Sequence, residues 1–353
     1  MYETFRAKRQ NQVVDKVGKT IKDIQKETGL GLATISKYIN GGNVLDKNKK
    51  LIDDAIKKLD YSVNEFGRSL KTKKSMTVGI IIPELSNIFV TSIITVIEDI
   101  LRKNGYSIIV CDCRTDEKLE RDVIEFLLSK RVDGIISMPV AITGEYLKKA
   151  TNRGIPIVLI DRLVEGIDAD AVMVDNRSAS EKAIDYLVEN GHKNIGIIVG
   201  PSDVYTSQQR LIGYKNALSK IGIKANDENI IQANYTVEGG YEGMKKLISE
   251  NKDMSATFVT NYEMTLGAII AINEMNIKIP EDLSFIGFDN LQLSKIVKPK
   301  LSIVDQPLEQ IGWNAANIIL KRLNTNKDSG KLEAKQKIEL MTSLIKRESV
   351  RKI

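Results

Sequence analysis

The sequence predicts an α/β protein: a three-helix, helix-turn-helix head with a hinge helix, then a two-lobed core of doubly wound parallel sheets. Three observations carry this expectation. The first 75 residues have helical spacing and a strong basic bias. From Met76, short apolar strands alternate with amphipathic helices. That alternation continues almost to the end of the 353-residue chain, which is generous for one doubly wound sheet and suits two.

The head is read first. Ile21–Thr28 makes a short helix with Ile21 and Ile24 on one side, and Gly29 supplies a turn. Leu30 to Asn40 makes a second helix whose Leu30, Ile35 and Ile39 face inward. Two helices joined by a glycine-containing turn can present the second to a DNA major groove. A generic helical hairpin has the same spacing. A third helix, Asp46 to Leu59, carries Leu51, Ile52, Ala55, Ile56 and Leu59 at helical spacing and closes the small core. The basic stretch 62–75 follows, with Val63, Phe66 and Leu70 as its apolar members. It is either an interdomain linker or a segment that becomes helical on DNA.

Charge separates the head from the rest. Residues 1–75 hold 17 Lys and Arg against 9 Asp and Glu, which leaves 35 against 37 for the remainder. A basic head on a near-neutral body is the electrostatic footprint of a domain that meets phosphates.

In the core, strands are expected at Thr77–Ile82, Tyr106–Cys111, Gly134–Ser137, Ile155–Ile160, Ile195–Val199, Ala256–Val259 and Ser284–Phe288. Helices are expected at Phe89–Lys103, Glu117–Lys130, Arg177–Asn190, Gln208–Lys220, Val237–Glu250 and Met264–Met275. Ligands of open parallel sheets bind beyond the carboxyl ends of the strands. The residues following the strands are rich in Asn, Asp, Arg and Thr, and with Phe89 and Tyr235 they suit a sugar: polar groups fork onto hydroxyls while an aromatic face covers the ring. Ser202, Asp203 and Asn290 read better as caps or turn residues, and Arg210 alone could be a surface helix residue.

Other classes lack their signatures. No Gly-x-Gly-x-x-Gly follows a strand and no P-loop is present, so the chain is not read as an enzyme or as a cofactor binder. The single histidine, His192, sits in a Gly-His-Lys-Asn turn and reads as structural. Cys111 and Cys113 share a face at the end of an apolar run, with no histidine or further cysteine nearby. They are read as reduced thiols of a cytoplasmic protein. No secretory leader and no membrane-spanning run is visible.

The ordered motifs TIKDIQKETG, ATISKYING, NEFGRSLKTKKSMTVGIIIPELSNIF, RVDGII, IPIVLIDR, ENGHKNIGIIVGP, QRLIGY, EMTLGA and LSFIGFDN resemble the lac repressor family of bacterial transcription regulators. The resemblance runs from Thr20 to Arg351, and the core is similar to periplasmic sugar-binding proteins. It implies a DNA-binding set. Thr20 opens the motif; Leu32, Ala33 and Lys37 match base-reading positions; Thr34, Ser36 and Asn40 match backbone-gripping ones. Asn64 belongs to the hinge, and Leu70 matches a leucine that wedges into the minor groove. It also implies an effector set: Asn87, Phe89 and Asp161 from the N-lobe, Thr206, Arg210, Tyr235, Asn261 and Asp289 from the C-lobe, and Gln306 on a crossover.

Four departures stand out. Gly31 replaces a usual Ser, Val63 a usual Pro, Gly67 an Ala, and Tyr262 a frequent Asp, so a larger group stands beside the pocket.

The implied organisation is an extension at 1–19, a DNA-binding head at 20–61 and a hinge at 62–75. The N-lobe takes 76–174 with 305–336, and the C-lobe 175–304 with 337–353. Crossovers are expected near Val174, Val304 and Gln336, helix Leu308–Leu323 in the N-lobe, and a Lys337–Leu344 strand in the C-lobe. The extension is read either as a basic arm touching phosphates or as a segment without a role. No leucine-heptad tail is visible, so a homodimer is expected on a near-palindromic double-stranded operator. Its operator affinity would respond to a sugar or sugar derivative, as in a repressor of carbohydrate use. The alternative is a global catabolite-control regulator docking a phosphorylated carrier protein, to which Ser86–Phe89 and Lys298–Leu301 bear a loose resemblance.

Overall fold

The computed structural model describes residues 19–39, 41–61, 74–289, 293–325 and 334–353. Asn40, Asn64 and Leu70, the replaced positions Val63 and Gly67, and all but the last residue of the 1–19 extension lie outside them. The chain divides into two compact units, Met1–Ser75 and Met76–Ile353.

In the first unit, helices α1 (Ile21–Thr28), α2 (Leu32–Ile39) and α3 (Asp46–Leu59) surround a core of Ile24, Ile35, Ile52 and Ala55. The apolar spacing produces this core directly, because residues three and four apart share a helix face. Leu30, Ile39, Ile56 and Leu59 pack around it. Asp23 accepts from both the backbone N–H and the hydroxyl of Thr20, at 2.8 and 2.9 Å. These bonds hold its carboxyl below the usual range. Gly29 ends α1 at φ +68°, where a side chain would be strained. Tyr38 donates to Asp53 Oδ1 at 2.6 Å, fastening α2 to α3.

The second unit holds two six-stranded sheets of matching topology. The first contains β1 (Thr77–Ile82), β2 (Ser107–Asp112), β3 (Gly134–Ser137), β4 (Ile157–Ile160), β5 (Asp170–Val174) and β11 (Lys337–Leu340). Their order is β11-β5-β4-β3-β1-β2. The second contains β6 (Ile195–Val199), β7 (Ile230–Gln232), β8 (Ala256–Val259), β9 (Ser284–Phe288), β10 (Ser302–Asp305) and β12 (Ser343–Ile345), in the order β12-β10-β9-β8-β6-β7. Only the β10–β12 pair is antiparallel.

Helices cover both faces of each sheet, which explains the unbroken apolar strands. On β1, Val78, Ile80 and Ile82 enter one core cluster while Ile81 enters the other. On β6, Ile195, Ile197 and Val199 alternate with Ile198 in the same way. Each such fully buried side chain contributes about 1.5–3 kcal/mol. The helices of the first lobe are α4 (Ile88–Lys103), α5 (Glu117–Ser129), a single turn α6 (Lys148–Thr151) and α12 (Leu308–Asn324). Those of the second are α7 (Asn176–Glu189), α8 (Tyr205–Lys220), α9 (Val237–Glu250), α10 (Tyr262–Glu274) and a single turn α11 (Leu293–Ile296). Helices α9 and α10 approach closely through glycines: a Cβ at Gly267 would lie 1.8 Å from the Val237 carbonyl oxygen.

One expectation is corrected. Lys337–Leu344 is not a single strand of the C-lobe. Lys337–Leu340 pairs in parallel with β5 in the first sheet, and only Ser343–Ile345 pairs with β10 in the second. The third crossover therefore falls at Met341 and Thr342 rather than near Gln336. Three strands, β5, β7 and β10, have no counterpart in the sequence reading, because runs of 3–5 residues with polar ends give little periodic signal. Helix α8 starts at Tyr205, three residues before the expected Gln208.

Two polar clusters secure the unit. Asp170 is fully buried and receives Arg322 Nε at 2.9 Å, Arg322 Nη2 at 2.7 Å and the Gln336 N–H at 2.8 Å. His192 is fully buried, with Nδ1 2.9 Å from Ser255 Oγ and Nε2 3.0 Å from the Arg351 carbonyl. It ties the end of the chain to the turn before β6, and burial lowers its pKa. Cys113 is buried and Cys111 half-buried, both free thiols packed on the same cluster. Burial pushes the Cys113 thiol up to about 12, so it stays protonated and unreactive.

Candidate DNA-reading face and effector cleft

On α2, the residues opposite the buried Ile35 form a continuous outward face. Leu32, Ala33 and Lys37 are exposed, with Thr34 and Ser36 half-buried beside them. Positions i, i+1, i+4 and i+5 span one side of a helix, so Leu32, Ala33, Ser36 and Lys37 can reach a groove together. Leu32 and Ala33 offer apolar contacts for a thymine methyl, and Lys37 offers a donor for guanine. Gly31 is the N-cap: its carbonyl accepts from the N–H groups of Thr34 and Ile35 at 3.0 and 3.2 Å. It has no side chain with which to cap the helix.

A second candidate site lies at the carboxyl ends of the core strands. Asp289 follows β9 and is 6% exposed. It accepts a hydrogen bond from Gln306 Nε2 and one from the backbone N–H of Tyr262. Burial raises its pKa to about 6, although the Arg210 guanidinium and the Gln306 amide favour its ionised form. Asp161, from the other lobe, is near enough to oppose that ionisation.

Arg210 is 5% exposed. Its guanidinium lies 3.8 Å over the Phe288 ring. Its Nε donates to Asn176 Oδ1 at 2.8 Å and its Nη1 to the Thr260 carbonyl. A stacked guanidinium with two fixed donors is oriented before any ligand arrives. Thr206 precedes Arg210 by one helical turn, and its hydroxyl lies 3.3 Å from the Tyr235 hydroxyl. Tyr235 packs on bare backbone: a Cβ at Gly200 would lie 2.1 Å from Tyr235 Cζ.

The remaining expected residues lie at the rim. Asn261 caps α10, accepting from the Met264 N–H at 3.0 Å and donating to Glu263 Oε2 at 3.0 Å. Asn87 caps α4 by accepting from the Val90 N–H at 3.3 Å, and Phe89 packs on the first lobe's core. Neither Asn87 nor Phe89 bonds to the second lobe among the described residues.

Two polar atoms are buried without hydrogen-bond partners here, Gln306 Oε1 and Arg162 Nε. Arg162 Nε is 3.6 Å from Asp161 Oδ2, too far for a hydrogen bond. One buried acceptor and one buried donor are thus left unsatisfied.

The structure therefore brings Asp161, Arg210, Asp289 and Gln306 together and pairs Thr206 with Tyr235. It adds Asn176 and Phe288, to which sequence reasoning gave no role, while Arg162, Thr260 and Glu263 belong to the polar stretches expected after the strands. Burial raises the Glu263 pKa, and the Asp289 and Glu84 carboxylates raise it further.

The chain is similar to several known proteins. The family described as periplasmic binding proteins and sugar binding domain of LacI family matches residues 75–343. Catabolite control protein A of Priestia megaterium is 34% identical over 327 residues, covering 92% of this chain and 98% of that protein. The HTH-type transcriptional repressor PurR of Pasteurella multocida is 32% identical over 334 residues, covering 94% and 98%. A solved LacI family transcriptional regulator from Enterococcus faecium with bound ribose matches with a TM-score of 0.68 and 26% identity, over 78% of this chain and 99% of that one. These relatives regulate transcription and are not enzymes, and no described helix is long and apolar enough to cross a membrane. With the helix-turn-helix head and the polar cleft both present, the chain belongs to the LacI family of DNA-binding transcription regulators.

Proposed function

We propose that the chain is a homodimeric repressor of a carbohydrate-utilisation operon whose operator affinity responds to a sugar-like effector held between the lobes. The observation that carries this reading is the meeting of Asp289, Arg210 and Gln306 of one lobe and its crossover with Asp161 of the other. Carboxylates accept from ring hydroxyls and the guanidinium donates to them, so adjacent hydroxyls can be held from both lobes at once. The Enterococcus faecium neighbour with bound ribose supports a pentose as the first effector to try.

Two heads, residues 20–61 of each copy, read half-sites in successive major grooves, with segments 62–75 ordering at the operator centre. The effector binds one arrangement of the lobes better than the other. A tenfold change in operator affinity requires about 1.4 kcal/mol of such preference. Selection of bound sequences from random duplex DNA tests this. A near-palindrome released or retained on adding ribose or another sugar supports the reading, and recovery of sequence-independent, salt-sensitive binding alone under every sugar overturns it.

A second reading, a global catabolite-control regulator that docks a phosphorylated carrier protein, is favoured by the likeness to catabolite control protein A. It predicts that the phosphorylated carrier, without sugar, tightens operator binding.

A further inference from the structure

We propose that the crossover region holds a second small-molecule site, distinct from the effector cleft, which takes an amino-acid-sized zwitterion and acts on the cleft through α8. A cavity of about 250 Å³ opens where the first and third crossovers run side by side. The Asp175 N–H donates to the Leu340 carbonyl at 3.0 Å and ties those crossovers together. Such a volume is below that of drug-sized pockets and suits a molecule of a few heavy atoms.

Helix α8 serves both places. Thr206 and Arg210 face the cleft, while Tyr205 and Gln209, each one residue earlier, line the cavity. One residue is about 100° of rotation on a helix, so the two pairs occupy adjacent faces of one rigid element. Asn176 is the shared wall. It lines the cavity and accepts from Arg210 Nε at 2.8 Å, and its Nδ2 donates to the Val174 carbonyl at 3.1 Å.

Opposite charges flank the cavity. Arg177, on α7, donates through Nη2 to Gln209 Oε1 at 3.2 Å and keeps further donors. Glu339, on β11, has no side-chain hydrogen bond or ion pair among the described residues, nor has the Tyr205 hydroxyl. Both line the cavity, and burial raises the Tyr205 pKa, with the Glu339 carboxylate adding to the effect. Asp175 spends one oxygen on the Ser178 N–H at 2.9 Å and keeps the other. A bare anion would meet two carboxylates for one guanidinium, and a neutral polyol would leave both charges unanswered. A zwitterion sets its ammonium against Glu339 and Asp175 and its carboxylate against Arg177. Bound there, it bridges the two crossovers and α8, and by linkage it changes effector affinity as the effector changes its own.

The test is calorimetric titration of the full-length protein with glycine, L-serine and L-glutamine, with glycerol and acetate for comparison. Saturable binding of at least one amino acid is expected. It should weaken about tenfold or more in Glu339→Gln and in Tyr205→Phe, both checked for an unchanged melting temperature, and persist in Asp289→Asn, which disables the cleft instead. No saturable binding, glycerol or acetate binding as tightly, or loss in Asp289→Asn with retention in Glu339→Gln would each overturn the proposal. The last result would place the amino acid in the effector cleft.

Discussion

Asp161 and Asp289 hold the same place in the two lobes. Each is the first residue after the fourth strand of its lobe in chain order, β4 and β9, and each has left-handed backbone, at φ 72° and 78°. Each donates its N–H to the neighbouring strand, Asp161 to Val172 at 3.1 Å and Asp289 to Val304 at 2.7 Å. Aspartate tolerates this conformation better than most residues. The repeated topology thus aims one carboxylate from each lobe at the same space. The two differ in surroundings, because only Asp289 is buried against Arg210 and Gln306.

That difference gives a pH dependence. Burial moves the Asp289 pKa from 3.8 to about 6. Between those values the folded protein binds more protons than the unfolded one, so this group's contribution to stability falls as pH rises. A sugar hydroxyl donates to the ionised carboxylate, so effector affinity should rise as pH increases through 6 and level off above it. Below 6 it should fall by up to about tenfold per pH unit. Calorimetric dissociation constants between pH 5 and 8 measure this, and a flat profile in the wild type would remove Asp289 from the contact set.

His192 titrates in the opposite sense. Burial lowers its pKa below 6.5, so the stability it contributes is complete above 6.5 and is lost as pH falls through the folded value. Urea unfolding of the wild type should lose midpoint below pH 6.5. A His192→Asn variant should start lower and lose less over that window; an equal acid loss in both would assign it to other groups.

Gly200→Ala should act through Tyr235. The added methyl occupies the position of the Tyr235 ring, and overpacking of this kind costs about 1–3 kcal/mol. Either the ring moves out of the cleft, weakening effector binding at least several-fold, or stability falls by that amount. A variant with wild-type affinity and melting temperature would contradict the packing.

Gly31→Ser should stabilise the head. The N-cap position has open space around a Cβ, and serine supplies the acceptor that glycine lacks. The gain is a few tenths of a kcal/mol, seen as slower amide exchange in α2 at unchanged operator preference. Faster exchange would contradict the capping geometry.

Arg322→Ala should be among the most damaging changes away from the cleft. It strands the fully buried Asp170 carboxylate, and breaking such a pair costs about 3–5 kcal/mol. Chemical denaturation measures the loss. A cost under about 1 kcal/mol would mean that Lys335, 3.9 Å away, takes over.

The sequence by itself determined the three head helices, the outward face of α2, most of the strands and the residues that follow them. These are local matters: apolar spacing of two or of 3.6 residues sets which face is buried, and a strand's end sets what comes next. A strand as short as β7 carries too few periods to be legible. The division of 337–345 between two sheets depends on which distant strand each half pairs with. The cleft's chemistry is likewise tertiary. Arg210 taken alone could be a surface helix residue; stacking on Phe288 and bonding to Asn176 and the Thr260 carbonyl make it a buried, oriented cation. Asp289 has its pKa raised to about 6 because folding removes its water and sets Asp161 nearby, against the lowering by Arg210 and Gln306. Burial and charge proximity are properties of residues far apart in the chain, and only the packed structure supplies them.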